Sequence, residues 1–109
     1  MAESIKKNED FKLFYQNGKS FANKYLIMYA LKNGKEFDRL GISVSKKVGN
    51  SVVRHRIARL LRESFRLNDE TFHSGWDIVV VARKSAKGKD YKDIEGAFLH
   101  LTKMHKIIK

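Results

Sequence analysis

The chain has 109 residues, 42% of them hydrophobic, with a formal net charge of +11 and no cysteine or proline. One domain spanning residues 1–109 fits that length, and the apolar content is too high for a disordered basic tail. The charge points to a polyanionic partner, while the absence of thiols excludes disulfides, thiolate zinc sites and cysteine nucleophiles.

Asn8-Glu9-Asp10 ahead of Phe11, Phe14 and Tyr15 reads as a capped helix start, with Asn17-Gly18 as its stop. Tyr25 to Leu31 is a large apolar run of strand length, and Asn33-Gly34 marks a turn continuing through Lys35-Glu36. From Arg39 to Ser45 the pattern alternates. Leu40, Ile42 and Val44 share one side, while Arg39, Gly41, Ser43 and Ser45 share the other. Gly49-Asn50 breaks the chain, and a helix is predicted from Ser51 to about Leu67.

Asp77 to Ala82 is a β-branched run suited to a strand buried on both faces. Arg83 to Lys89 reads as an exposed basic loop. Asp90 then caps a last helix with Ile94, Ala97, Phe98, Leu101 and Met104 at helical spacing. The order is helix, two or three strands, helix, strand, helix, which predicts an α/β (α+β) sandwich with helices packed on a small sheet.

The helix after Asn50 carries most of the functional signal. At about 100° per residue, Val53, Ile57, Leu60 and Leu61 form an apolar stripe. His55, Arg59, Arg62 and Arg66 form the opposite one, flanked by Arg54 and Arg56, with Glu63 as the single acid. A face that served only solubility would mix charge signs, because like charges four apart repel. Arginine's planar fork also suits phosphate better than lysine does. Lys46, Lys47 and the free amides after Asn50 add to the same end.

A nucleic-acid interface follows. RNA is favoured over DNA, since no second helix on a short turn precedes this one. Phe11, Tyr15 and Tyr29 offer candidate stacking rings, although Phe11 alone is better read as core.

A membrane partner is not expected, because no apolar run approaches the roughly 20 residues that span a bilayer. Met1 to Asp10 is charged rather than signal-like, which fits a cytoplasmic protein. The acids are scattered, and His55, His73, His100 and His105 form no close ligand set. Neither a metal site nor a catalytic constellation is therefore expected in the protein itself.

The segment Arg39–Phe65 resembles the signature of bacterial ribonuclease P proteins: Ser-Val-Ser-Lys-Lys, then Val-Gly-Asn, then an Arg-x-Arg helix continuing through Arg59 and Leu60-Leu61-Arg62-Glu63. Lys6 to Phe11, with Gly18, Ser20 and Ala22-Asn23, is similar to that family's opening. Asp77 to Arg83 is similar to its last strand.

The resemblance implies the order αβββαβα with a left-handed βαβ crossover. It implies that Lys46, Lys47, Asn50, Arg54, His55, Arg56, Arg59, Arg62 and Arg66 meet a catalytic RNA. A cleft with Phe11, Tyr15, Ile27, Tyr29, Ser43 and Ser45 would hold the single-stranded 5′ leader of precursor tRNA. The RNA would do the chemistry with Mg2+ held through it. The protein would bind no cofactor of its own and need no protein oligomer.

Two positions depart from the family pattern. His55 stands where asparagine is usual, and Ala58 where lysine is common, removing one phosphate partner. A ribosomal protein, a DNA-binding regulator and a self-sufficient nuclease are the alternatives, in that order.

Overall fold

A computed structural model describes residues 3–4, 16 and 18–109. Of the helix expected from Asn8, only Gln16 is described, in helical backbone. Phe11 and Tyr15 lie outside the described residues.

The strands are β1 (Glu3–Ser4), β2 (Lys19–Ala22), β3 (Leu26–Lys32), β4 (Arg39–Ser43) and β5 (Trp76–Ala82). They form one sheet in the order β1-β4-β5-β3-β2. Helices α1 (Ser51–Asn68) and α2 (Tyr91–Met104) complete the described architecture. The β2–β3 and β3–β5 pairs are antiparallel, while β4–β5 and β1–β4 are parallel, so the sheet is mixed. The parallel β4–β5 pair needs a crossover, and α1 supplies it.

Strand β5 sits between β3 and β4, which explains its unbroken apolar run. Ile78, Val79 and Val80 are all fully buried, so both of its faces are covered. On one face Leu26, Met28, Ala30, Leu40, Ile78, Val80 and Ala82 pack with Ile57, Leu61 and Phe65 of α1 and Ile94, Phe98 and Leu101 of α2. Ile42 and Val44 join from the strand that the alternation predicted. The other face has a small apolar cluster in which Tyr29 and Leu31 pack against Val79.

Local chemistry sets the ends. Asn23 Oδ1 accepts from the amides of Tyr25 (3.2 Å) and Leu26 (3.0 Å), which turns β2 into β3. Gly34 takes φ +70 in the turn after β3, as Asn-Gly predicts. Asn50 caps α1, its side chain accepting from Val53 N at 3.0 Å. Asp90 and Asp93 form a reciprocal capping box at the start of α2.

Three expectations need correction. Met104 is 39% exposed, so the apolar stripe of α2 ends at Leu101. At about 100° per residue Met104 falls at the edge of that stripe and His105 at its centre, so the chain buries His105, and then Ile107, against the sheet. The basic loop after β5 is not wholly exposed, because a 3-10 turn at Lys84–Ala86 tucks Ala86 into the core. Ala58 is buried at 9% exposure rather than phosphate-facing, so a lysine there would have to snorkel outward to reach a phosphate.

Candidate nucleic-acid interface

Helix α1 starts at the end of the sheet where β4 and β5 finish and β3 begins. Ser43 pairs with Val81 there, and Ala82 with Leu26. The segments leaving and entering the sheet at that end are rich in basic residues: Lys24, Lys46, Lys47, Arg83, Lys84, Lys87 and Lys89. Arg83 donates to the carbonyl of Asn23 at 2.7 Å, and Ser85 Oγ donates to that of Lys24. Lys24 and Lys89 place their ammonium groups 5.6 and 5.5 Å from the centroid of the Tyr25 ring. The charge run after Ala82 was the available signal for these residues, but only the sheet register brings that run beside Lys46 and Lys47.

Along α1, His55, Arg59, Arg62 and Arg66 are all exposed, while Ile57, Leu61 and Phe65 are buried. The two stripes fall where the 3.6-residue period puts them. The cations are not equivalent. Arg66 is paired with Glu63 at 2.8 Å, and this contact holds the Glu63 carboxyl below its usual range. Arg56 donates to the carbonyl of Lys89 at 2.7 Å, which ties α1 to the basic loop.

Arg54 Nε is buried, with no hydrogen-bond partner among the described residues. Arg59 and Arg62 project from the helix with Lys46 and Lys47 exposed just upstream. Asn50 spends its side-chain oxygen on the cap, which leaves its amide group for any partner.

Of the second predicted group, Ile27, Tyr29 and Ser43 fall on the sheet face away from α1 and α2, while Phe11 and Tyr15 lie outside the described residues. Paired residues share a face, so Ser20, Tyr29, Val79 and Gly41 form one row across β2, β3, β5 and β4. Ala22, Ile27, Val81 and Ser43 form the next row. Ile27, Tyr29, Val81 and Ser43 are half-buried, giving a shallow surface with one aromatic ring and one hydroxyl. Ser45 lies beyond the end of β4 and is exposed, and its carbonyl accepts from Val48 N at 3.1 Å.

The far edge of this face is fixed by charge. Asp77 is buried and accepts from Arg39 Nε and Asn33 Nδ2, each at 2.8 Å, with a second contact from Arg39 Nη2. Burial alone would raise the Asp77 carboxyl, but Arg39 and Asn33 outweigh it and hold it below the usual range.

Several other described acids are engaged structurally. Asp38 accepts from Trp76 N at 2.8 Å, and burial pushes its carboxyl up. Glu95 accepts from Tyr91 at 2.7 Å and Asn68 at 3.0 Å. Among the described residues no three His, Asp or Glu side chains gather as a metal site. No described helix is long and apolar enough to cross a membrane.

The ribonuclease P family profile matches residues 1–106. The ribonuclease P protein component of Lachnoclostridium phytofermentans is 64% identical over 108 residues, covering 99% of this chain and 93% of that protein. The Staphylococcus aureus RNase P protein superposes with a TM-score of 0.91 at 39% identity, covering all of both chains. The Thermotoga maritima RNase P protein gives 0.85 at 36% identity, covering 94% of this chain and 96% of that one. The profile match spans nearly the whole chain, and relatives and solved structures are matched over almost all of their length: the chain belongs to the ribonuclease P protein family.

Proposed function

We propose that the chain acts as the RNA-binding accessory subunit of ribonuclease P, the endonuclease that removes the 5′ leader of precursor tRNA, and that a catalytic RNA performs the cleavage. The observation that carries this reading is the exposed stripe of α1, His55, Arg59, Arg62 and Arg66, continuous with Lys46 and Lys47 at one end of the sheet. Such a surface neutralises several phosphates at once and releases their counterions. Arg54, with its buried unpartnered Nε, and Arg59 and Arg62 are the principal contacts to the catalytic RNA; Arg56 also holds the helix to Lys89.

The leader takes the opposite sheet face. Tyr29 supplies a stacking ring in the middle of the Ser20–Gly41 row, and Ile27 and Ser43 lie one row along. The described acids support a division of labour: Asp77, Asp38, Glu95, Glu63 and the Asp90–Asp93 pair are each committed to a structural bond, and no three His, Asp or Glu side chains gather as a ligand set. Magnesium enters through the RNA. By neutralising phosphates the protein lowers the magnesium the holoenzyme requires, and it works as a single cytoplasmic chain.

The test is cleavage of a precursor tRNA by a bacterial ribonuclease P RNA at low magnesium, with and without this protein. Stimulation only with both present is expected. A folded protein that gives no stimulation would count against the reading, and cleavage without the RNA would refute the division of labour. Tyr29→Ala should weaken binding of leader-bearing precursor by about 1–3 kcal/mol while leaving mature tRNA untouched. Equal losses on both substrates would remove the stacking role.

A further inference from the structure

Helix α2 ends in a Schellman turn: the amides of Lys106 and Ile107 donate to the carbonyls of Lys103 (3.0 Å) and Thr102 (2.9 Å). The residue after the cap takes left-handed backbone, and Lys106 occupies it at φ 60. Glycine is the ordinary occupant, because a β-carbon there crowds the backbone. At the other described positions of this kind, 34, 75 and 88, the chain does use glycine. No hydrogen bond or ion pair among the described residues engages the Lys106 ammonium group. A lysine stands here against the local backbone preference, and no described bond of the fold uses its charge. Strain of that kind concentrates at functional positions.

Lys106 lines a cavity of about 450 Å³ together with Lys32, Lys35, His73, Gly75 and Trp76, and no acid contributes to its wall. The walls are braced. Asn33 N donates to the carbonyl of Gly75 at 2.9 Å, Asn33 Oδ1 accepts from Lys35 N at 2.7 Å, and His73 N donates to the carbonyl of Ile107 at 2.7 Å. Lys32 Nζ stands 5.7 Å from the centroid of the Trp76 ring. Lys32 pairs with Trp76, and their parity puts both on the helix-covered face, with Met28 and Val80. The cavity is thus at the end of the sheet opposite Lys46 and Lys47. The seven residues of β5 separate the two ends by roughly 20 Å.

We propose that this cavity is a second phosphate site for the catalytic RNA, seating one backbone phosphodiester among Lys32, Lys35 and Lys106. The assignment rests on the function proposed above. Three ammonium donors with no carboxylate in the wall suit a phosphate, which lysine meets as a point charge; Asp77, near enough to feel the Lys35 charge, is already paired with Arg39. The catalytic RNA is the source because the cavity lies on the same side of the sheet as α1, whereas the leader takes the face that carries Tyr29.

Lys106→Gly separates binding from folding, since it removes the charge and relieves the backbone together. Association of the full chain with a bacterial ribonuclease P RNA is measured at several salt concentrations, alongside thermal melting. The variant should melt a few degrees higher yet bind about 3- to 10-fold more weakly, with its log–log salt slope smaller by roughly 0.7–0.9. The double variant Lys32→Gln/Lys106→Gly should lose more. Unchanged affinity and slope in the folded double variant, with Arg59→Ala still weakening binding, would overturn the cavity while leaving α1 in place. Loss confined to precursor tRNA affinity in the assembled holoenzyme would overturn it too. A wild-type protein with no preference for this RNA over ribosomal RNA of equal length would instead sink the functional reading itself.

Discussion

Of the three buried ionisable side chains among the described residues, His105 and Asp77 lower stability as pH falls through two separate windows, whereas Asp38, its carboxyl raised by burial, acts in the opposite sense in the acid range. His105 is 8% exposed, with Nε2 2.9 Å from the carbonyl of Met28 and its ring edge-on to Phe21 at 4.7 Å. A carbonyl only accepts, so Nε2 carries the proton and donates. Burial lowers the pKa of this ring, which means the unfolded chain takes up a proton that the folded chain resists. Stability should therefore fall as pH drops below about 6.5, the unfolded value, and His105→Gln should flatten that part of the profile in thermal melts.

Asp77 acts lower on the scale. Its carboxyl is held down in the fold, so its contribution is present above about pH 4 and is lost as pH falls further. Arg39→Ala would leave that carboxylate buried without its ion partner, at a cost of about 3 kcal/mol in denaturant unfolding at neutral pH. A loss under 1 kcal/mol would show that Asn33 alone satisfies it. Neither role was legible in the sequence. Asp77 read as the first residue of a strand and His105 as one of four scattered histidines, because their partners lie far away along the chain.

At the scale of elements, α1 was the most legible part, since a 3.6-residue period and an asparagine cap are both local signals. That legibility makes its first turn a clean place to separate stability from affinity. Asn50→Asp keeps a capping acceptor and suits the helix dipole, so melting should be unchanged or slightly higher. The added negative charge beside Lys46 and Lys47 should nevertheless weaken RNA association several-fold. Equal affinity would remove this end of α1 from the interface.

Gly49 just ahead is constrained by packing: a β-carbon there would come within 2.7 Å of Val53 Cγ1. Val53 is stiff at χ1, so Gly49→Ala should cost about 1–3 kcal/mol, partly recovered by Val53→Ala. The short strands were the least legible. Lys19–Ala22 shows little alternation by itself and entered the expected fold through family resemblance. Glu3–Ser4 is held by pairing with β4, which no pattern within two residues can announce. The end of α2 misled for a different reason, because Met104 stands only at the edge of the apolar stripe, whose central position there is taken by the polar His105.

For the whole molecule, a net charge of +11 sets the expectation that RNA association is steeply salt-dependent. Each phosphate neutralised should add roughly 0.7–0.9 to the slope, and a slope near zero would exclude the electrostatic account of α1. The charge and the class of partner were legible from composition. Its concentration at two ends of one sheet was not, because that depends on β5 lying between β3 and β4.

The same strand order bears on how the protein comes into being on the ribosome. β5 is the middle strand of the sheet yet the last to be made, so β3 and β4 emerge without the neighbour they share. Until residues 76–82 have cleared the exit tunnel, α1 has no completed sheet to lie on, and its arginines hang from an unfinished chain beside the densest RNA in the cell. The folded form of the basic helix therefore depends on the strand synthesised last of the five.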